Sequence, residues 1–103
     1  MSAKELTSKE RAYLRSLANT MEPIFQYGKG GITENYIRQI ESALDARELI
    51  KITLLETADI DAKTLAAQLC EAAHCQSVQI IGRKIVLYRE AREKDRRKIV
   101  LPK

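Results

Sequence analysis

A chain of 103 residues, 45% hydrophobic and 31% charged, has the make-up of one small globular domain, with room for one modest core and not for a large enclosed active site. No run approaches the roughly 20 apolar residues that a membrane helix needs, and the charged start from Met1 to Glu10 lacks a secretory pattern. The net charge of +4 is uneven: up to Tyr88 there are 11 Lys and Arg against 11 Asp and Glu, and from Arg89 to Lys103 there are 7 against 3.

Thr7 and Glu10 form the two ends of a capping box, so a helix opens there, and Leu14, Leu17, Ala18 and Met21 give it an apolar stripe. Arg11 and Arg15 fall on a different face, expected to be exposed. Pro23 stops this helix, and Ile24 to Tyr27 reads as a short strand. The turn Gly28-Lys29-Gly30-Gly31 follows. Thr33 then caps a second helix, predicted from Glu34 to Glu48, with Ile37, Ile40, Ala43 and Leu44 on one side.

Between Leu49 and Glu56, Ile50, Ile52 and Leu54 alternate with Lys51 and Thr53, the pattern of a half-buried strand. Asp59 or Asp61 caps a third helix with Leu65, Ala66, Leu69, Cys70 and Ala73 on its inner face. Val78 to Ile81 and Ile85 to Arg89 make a final hairpin around Gly82, Arg83 and Lys84. The order α-β-α-β-α-β-β predicts an α/β chain whose first three strands run parallel and whose last is antiparallel. Residues 1–89 form the domain and 90–103 a basic tail, whose Ile99, Val100 and Leu101 dock either on the domain or on a partner.

The sharpest chemical feature is the glycine turn before a helix start. Glycines let main-chain amides approach an anion, and the helix adds unpaired N–H groups with roughly half a positive charge. Lys29 contributes a full charge. This GxxG pattern fits a phosphate backbone, as in KH-type RNA binders; a purely structural turn is the competing reading. A nucleotide P-loop does not fit, because Lys29 is followed by Gly30 rather than by Ser or Thr. Lys4, Lys9, Arg11, Arg15, Arg83, Lys84 and Arg89 are candidates for a surrounding basic surface, with Thr33 and Asn35 at the helix start.

The basic tail suits a polyanion, since neutralised phosphates release counterions, although a solvated tail has the same composition. Tyr27, Tyr36 and Tyr88 are of a type that stacks on bases, but core packing accounts for most of them. Cys70, His74 and Cys75 offer a metal or nucleophile reading, yet a structural zinc needs four ligands and Cys70 lies on the apolar stripe. Two cysteines five apart are also poor material for a disulfide framework, so a reducing cytoplasm is expected. No cofactor and no enzymatic activity are expected.

The segments Leu14-Arg15-Ser16-Leu17-Ala18, Gly28-Lys29-Gly30-Gly31-Ile32-Thr33-Glu34-Asn35 after Pro23, Ala46-Arg47-Glu48-Leu49-Ile50-Lys51, and Val78 to Arg89 together resemble the bacterial YhbY-like proteins. These are stand-alone CRM domains, the chloroplast RNA splicing and ribosome maturation module. The resemblance spans nearly the whole chain and departs at Cys75, where a small residue or glycine is common. It implies an α+β two-layer fold similar to the C-terminal domain of translation initiation factor three, with a mixed four-stranded sheet of order 1-2-4-3. It also implies association with precursor large-subunit ribosomal RNA and a role in ribosome assembly without catalysis, with Gly28 to Gly31 as the RNA-contacting element; separately, a monomer is expected. A protein-interaction adaptor on the ribosome is the alternative.

Overall fold

The computed structural model describes residues 6–91, 95, 97 and 99–102. The elements are α1 (Ser8–Ala18), β1 (Phe25–Tyr27), α2 (Glu34–Arg47), β2 (Leu49–Leu54), α3 (Ala62–Ala73), β3 (Gln76–Ile81) and β4 (Lys84–Tyr88). Each helix starts on a side-chain cap. The Thr7 hydroxyl accepts the Glu10 N–H at 3.1 Å while the Glu10 carboxylate accepts the Thr7 N–H at 2.9 Å. The Thr33 hydroxyl accepts the Tyr36 N–H at 3.1 Å, and of the two aspartates considered for α3 it is Asp61 that accepts the Thr64 N–H, at 2.7 Å. Such a cap satisfies amides that the helix leaves unpaired and contributes about 1 kcal/mol.

The four strands form one mixed sheet in the order β1-β2-β4-β3. Parallel pairing of β1 with β2 sets Phe25 opposite Ile52 and Tyr27 opposite Leu54. β4 runs antiparallel to β2 on one side and to β3 on the other. The first three strands therefore point the same way, as the chain order predicts, and β4 reverses between two of them.

Period-two alternation sends β2 and β4 side chains to both faces. Ile50, Ile52, Leu54, Ile85 and Leu87 meet Ile40 and Leu44 of α2 and Leu65, Ala66, Leu69 and Ala73 of α3. Burial of each large aliphatic side chain stabilises the fold by about 1.5–3 kcal/mol. On the second face Leu49, Val78, Val86 and Tyr88 pack with Leu6, Leu14 and Ala18, so α1 covers part of the side that α2 and α3 leave open. Among the described residues no helix is long and apolar enough to cross a membrane.

α1 ends at Ala18 with Asn19 as its cap, short of Met21 and Pro23, and the other boundaries shift by one or two residues for local reasons. Glu48 leaves the second helix with φ 66°, so α2 ends at Arg47 and one residue joins it to β2. β3 begins at Gln76, earlier than predicted, because the ladder with β4 continues to Tyr88. Arg89 lies just beyond β4, although its N–H still reaches the Glu48 carbonyl at 2.9 Å.

The tail's apolar segment returns to the domain. Ile99 and Leu101 pack on the α1 face. The fully buried Glu48 carboxylate accepts the Ala91 N–H at 2.8 Å and the Ile99 N–H at 2.9 Å. Glu48→Gln puts an amide donor against one of these N–H donors, and the expected loss is about 1–3 kcal/mol in urea unfolding. Faster hydrogen exchange at Ala91 and Ile99 should accompany it; unchanged stability and exchange would show that the carboxylate does not anchor the tail.

Candidate nucleic-acid interface

The C-terminal ends of β1 and β2 and the β3–β4 hairpin lie along one end of the sheet. Tyr27 is level with Leu54, Thr53 with Lys84, and the Leu54 N–H donates to the Arg83 carbonyl at 2.6 Å. Both crossover helices begin at this end, because each follows a strand that finishes there. Parallel strands commonly present their ligand sites on this side.

The glycine turn forms one corner. Gly28 sits against the segment after β2: a Cβ there would lie 3.0 Å from Thr57 Oγ1 and 3.3 Å from Leu55 Cδ1. Gly30 and Gly31 have φ of 120° and 79°, and a Cβ on either would meet nothing within 4 Å. L side chains are disfavoured in such conformations, while the open space leaves the backbone approachable. Lys29, Gly30, Gly31, Thr33 and Asn35 are all exposed. Since Thr33 spends its hydroxyl on the Tyr36 N–H, its part is to start α2, and Asn35 stands in the first turn of that helix.

Tyr36 braces the corner, a role that sequence reading did not assign to it. Its ring makes edge contacts with Phe25 at 6.3 Å and Tyr27 at 5.6 Å, and its hydroxyl donates to the Gln26 carbonyl at 3.3 Å. Burial, followed by the charge of Asp59, raises the Tyr27 hydroxyl above its ordinary pKa, and burial pushes Tyr36 up to about 12. Tyr88 is buried on the other face. Tyr27 and Tyr88 are buried and Tyr36, half-buried, is engaged with Phe25 and Tyr27, in keeping with the packing role expected for most of them.

Arg83 and Lys84 are exposed in the hairpin, two strand spacings or about 10 Å from the β1 corner. The segment after β2 lies between them and carries Glu56, Asp59 and Asp61. Asp61 is engaged as the α3 cap, and its carboxyl is lowered by the Thr64 backbone hydrogen bond. Glu34, in the first turn of α2, pairs with Arg38 at 2.6 Å.

The remaining cations lie elsewhere. α1 packs on the opposite face of the sheet from α2 and begins at the Gln76 end, where the Leu6 N–H donates to Gln76 Oε1 at 2.9 Å, so Lys9, Arg11 and Arg15 stand on a different face from the start of α2. Arg11 departs from the expected exposed face: it is half-buried, and its guanidinium donates to the carbonyls of Ser77 and Val78, fastening α1 to β3. Lys4 lies outside the described residues.

Arg89 requires a correction, because it is 7% exposed and faces inward. Its guanidinium donates to the Ala73 carbonyl at 2.6 Å, the Glu41 carbonyl at 3.2 Å and Asp45 Oδ1 at 2.9 Å. It closes the C-terminal end of α3 against α2 and presents no surface to a phosphate. Among the rival residues, Cys75 is buried, Cys70 packs against the core and His74 is the exposed C-cap of α3. Among the described residues no three His, Cys, Asp or Glu side chains are placed to hold a metal ion.

Comparison with known proteins agrees with this architecture. The model of the CRS1 / YhbY (CRM) domain matches residues 6–89. The chain is 48% identical over 88 residues to the "Probable RNA-binding protein YqeI" of Bacillus subtilis, an alignment covering 85% of this chain and 92% of that one. It is 35% identical over 99 residues to an "RNA-binding protein" of Haemophilus influenzae, covering 95% and 96%. The solution structure of the hypothetical protein SAV1595 from Staphylococcus aureus superposes with a TM-score of 0.76 at 51% identity, covering 95% of this chain and all of that one.

The two arginines at the ends of β4 should behave differently. Arg89→Ala strands Asp45 and the Ala73 carbonyl, and is expected to cost about 2–4 kcal/mol in denaturant unfolding. Arg83→Ala, at an exposed turn, should stay within about 0.5 kcal/mol of the parent. Equal stabilities for the two variants would refute the inward role of Arg89.

Proposed function

Because the chain belongs to the CRS1 / YhbY (CRM) domain family, we propose that it is an RNA-binding protein that holds a sugar-phosphate backbone at the glycine turn and the start of α2. The observation that carries this reading is the open backbone at Gly30 and Gly31, beside an exposed lysine and a capped helix N-terminus. Main-chain N–H groups, the helix dipole and the Lys29 ammonium act together on one anion. A second phosphate of the same strand is met by Arg83 and Lys84 on the far side of the segment after β2. The relatives' names support RNA as the partner class. The resemblance in the four sequence segments supports the finer assignment, precursor large-subunit ribosomal RNA and assistance in ribosome assembly without catalysis.

The cations divide by role. Lys29, Arg83 and Lys84 contact RNA, whereas Arg11 and Arg89 hold the fold and act on binding only through it. Lys9 and Arg15, on α1, belong to a different surface.

Lys29→Glu should lower affinity for a structured fragment of large-subunit ribosomal RNA by about tenfold or more, with an unchanged urea midpoint. Removing one phosphate contact also reduces the slope of log K against log salt by about 1. The same measurement on Arg15→Glu should show a smaller loss. If Lys29→Glu binds as the parent does while Arg15→Glu fails, the contact surface is α1 and the placement at the glycine turn is wrong.

A further inference from the structure

The C-terminus of α3 brings two thiols together. His74 adopts the left-handed conformation with φ 54°, and its N–H reaches back to the Cys70 carbonyl. The next N–H, from Cys75, donates to that same carbonyl at 3.1 Å. A six-to-one bond across a left-handed residue is the Schellman closure of a helix, and it sets the side chains of its first and last residues against each other. Here those residues are Cys70 and Cys75, both reduced.

We propose that Cys70 and Cys75 are a redox-active dithiol, in which Cys70 attacks a small-molecule disulfide and Cys75 resolves the adduct into an internal Cys70–Cys75 bridge. The positions differ as such a pair requires. Cys70 is partly exposed, while Cys75 is buried against the core, its sulfur 3.7 Å from the Leu69 carbonyl oxygen. A hydrogen bond from Cys75 holds the Cys70 thiol below its ordinary pKa against the effect of burial, helped by the Ser77 backbone and the Arg11 charge. Cys75 is raised by that same bond, by burial and by the negative charge of Cys70.

In the first step the Cys70 thiolate bonds to one sulfur of oxidised glutathione and expels glutathione thiolate, which takes the proton that Cys70 gave up. With Cys70 in the mixed disulfide, two of the causes that raise Cys75 are gone, its bond to the partner thiolate and the repulsion from it. Cys75 then loses its proton, attacks the Cys70 sulfur and expels the second glutathione. Two electrons pass from the dithiol to one oxidised glutathione, which leaves as two thiols. The pair lies at the Gln76 end of the sheet, away from the glycine turn, so the proposal stands or falls independently of RNA binding.

The test is incubation of the reduced full chain with oxidised glutathione in mildly alkaline buffer, followed by alkylation, intact mass and peptide mapping. The expected product is a monomer that has lost both free thiols and two hydrogen atoms, reversed by dithiothreitol. Cys75→Ser should instead accumulate one glutathione on Cys70, and Cys70→Ser should leave Cys75 unmodified. A lasting glutathione adduct on the parent, disulfide-linked dimers, or two free thiols after the unfolded chain has oxidised would each overturn the pairing.

Discussion

One residue, Glu48, separates α2 from β2, and this constraint positions the rest. With no loop to absorb the reversal, the backbone turns at a single left-handed residue, and the helix runs back along the sheet directly over the strand that follows it. The 14 residues of α2 span about 21 Å at 1.5 Å each, and the six of β2 about 20 Å. A helix matched to its strand must begin level with that strand's far end. The glycine turn is therefore held at the end of the sheet by the junction at the opposite end. The cost of an L residue at φ 66°, about 1–2 kcal/mol, is offset because Glu48 also accepts hydrogen bonds from Arg89, Ala91 and Ile99.

Arg89 reinforces the same junction from beneath. Its guanidinium reaches the last carbonyl of α3 and the carboxylate of Asp45 on α2, so the two crossover helices are fixed to each other as well as to the sheet. Rigidity here matters for the proposed interface, which is built from backbone groups. Amides recognise an anion by direction, and a corner free to tilt would disperse them. Tyr36, in edge contact with Phe25 and Tyr27, supplies the corresponding brace at the glycine-turn end.

The elements and their faces were legible because they depend on local chemistry: the Thr7–Glu10 box, the alternation from Ile50 to Leu54, and the turn residues at Gly82 to Lys84. The strand order was less so. Chain order gives the directions of the strands, but placing β4 between β2 and β3 came from family resemblance. Arg89 and Arg11 were misread for one physical reason: a charged residue looks solvated until its partners are known. The partners of Arg89 stand 16 to 48 positions away in sequence, and those of Arg11 stand 66 and 67 away. The cysteines show the reverse case. Five positions along a regular helix would separate their side chains, and it is the left-handed His74 that closes the distance.

These placements change how the chain's positive charge acts on a polyanion. Sequence put the whole excess in the last fifteen residues, yet among the described ones Arg89 is turned inward and Arg97 pairs with Glu90 at 3.2 Å. At the sheet end with the glycine turn, Lys29, Arg83 and Lys84 are interleaved with Glu56, Asp59 and Asp61. A surface of mixed sign exerts little net attraction at a distance beyond about 10 Å in physiological salt. On the function proposed above, recognition there rests on short-range, directed groups, the open backbone at Gly30 and Gly31 and the start of α2, with each cation acting where it stands. Acidic side chains between two such points repel phosphate from the middle. On that proposal a strand is guided to the glycine corner and the hairpin, where a uniformly basic face would hold it in many registers.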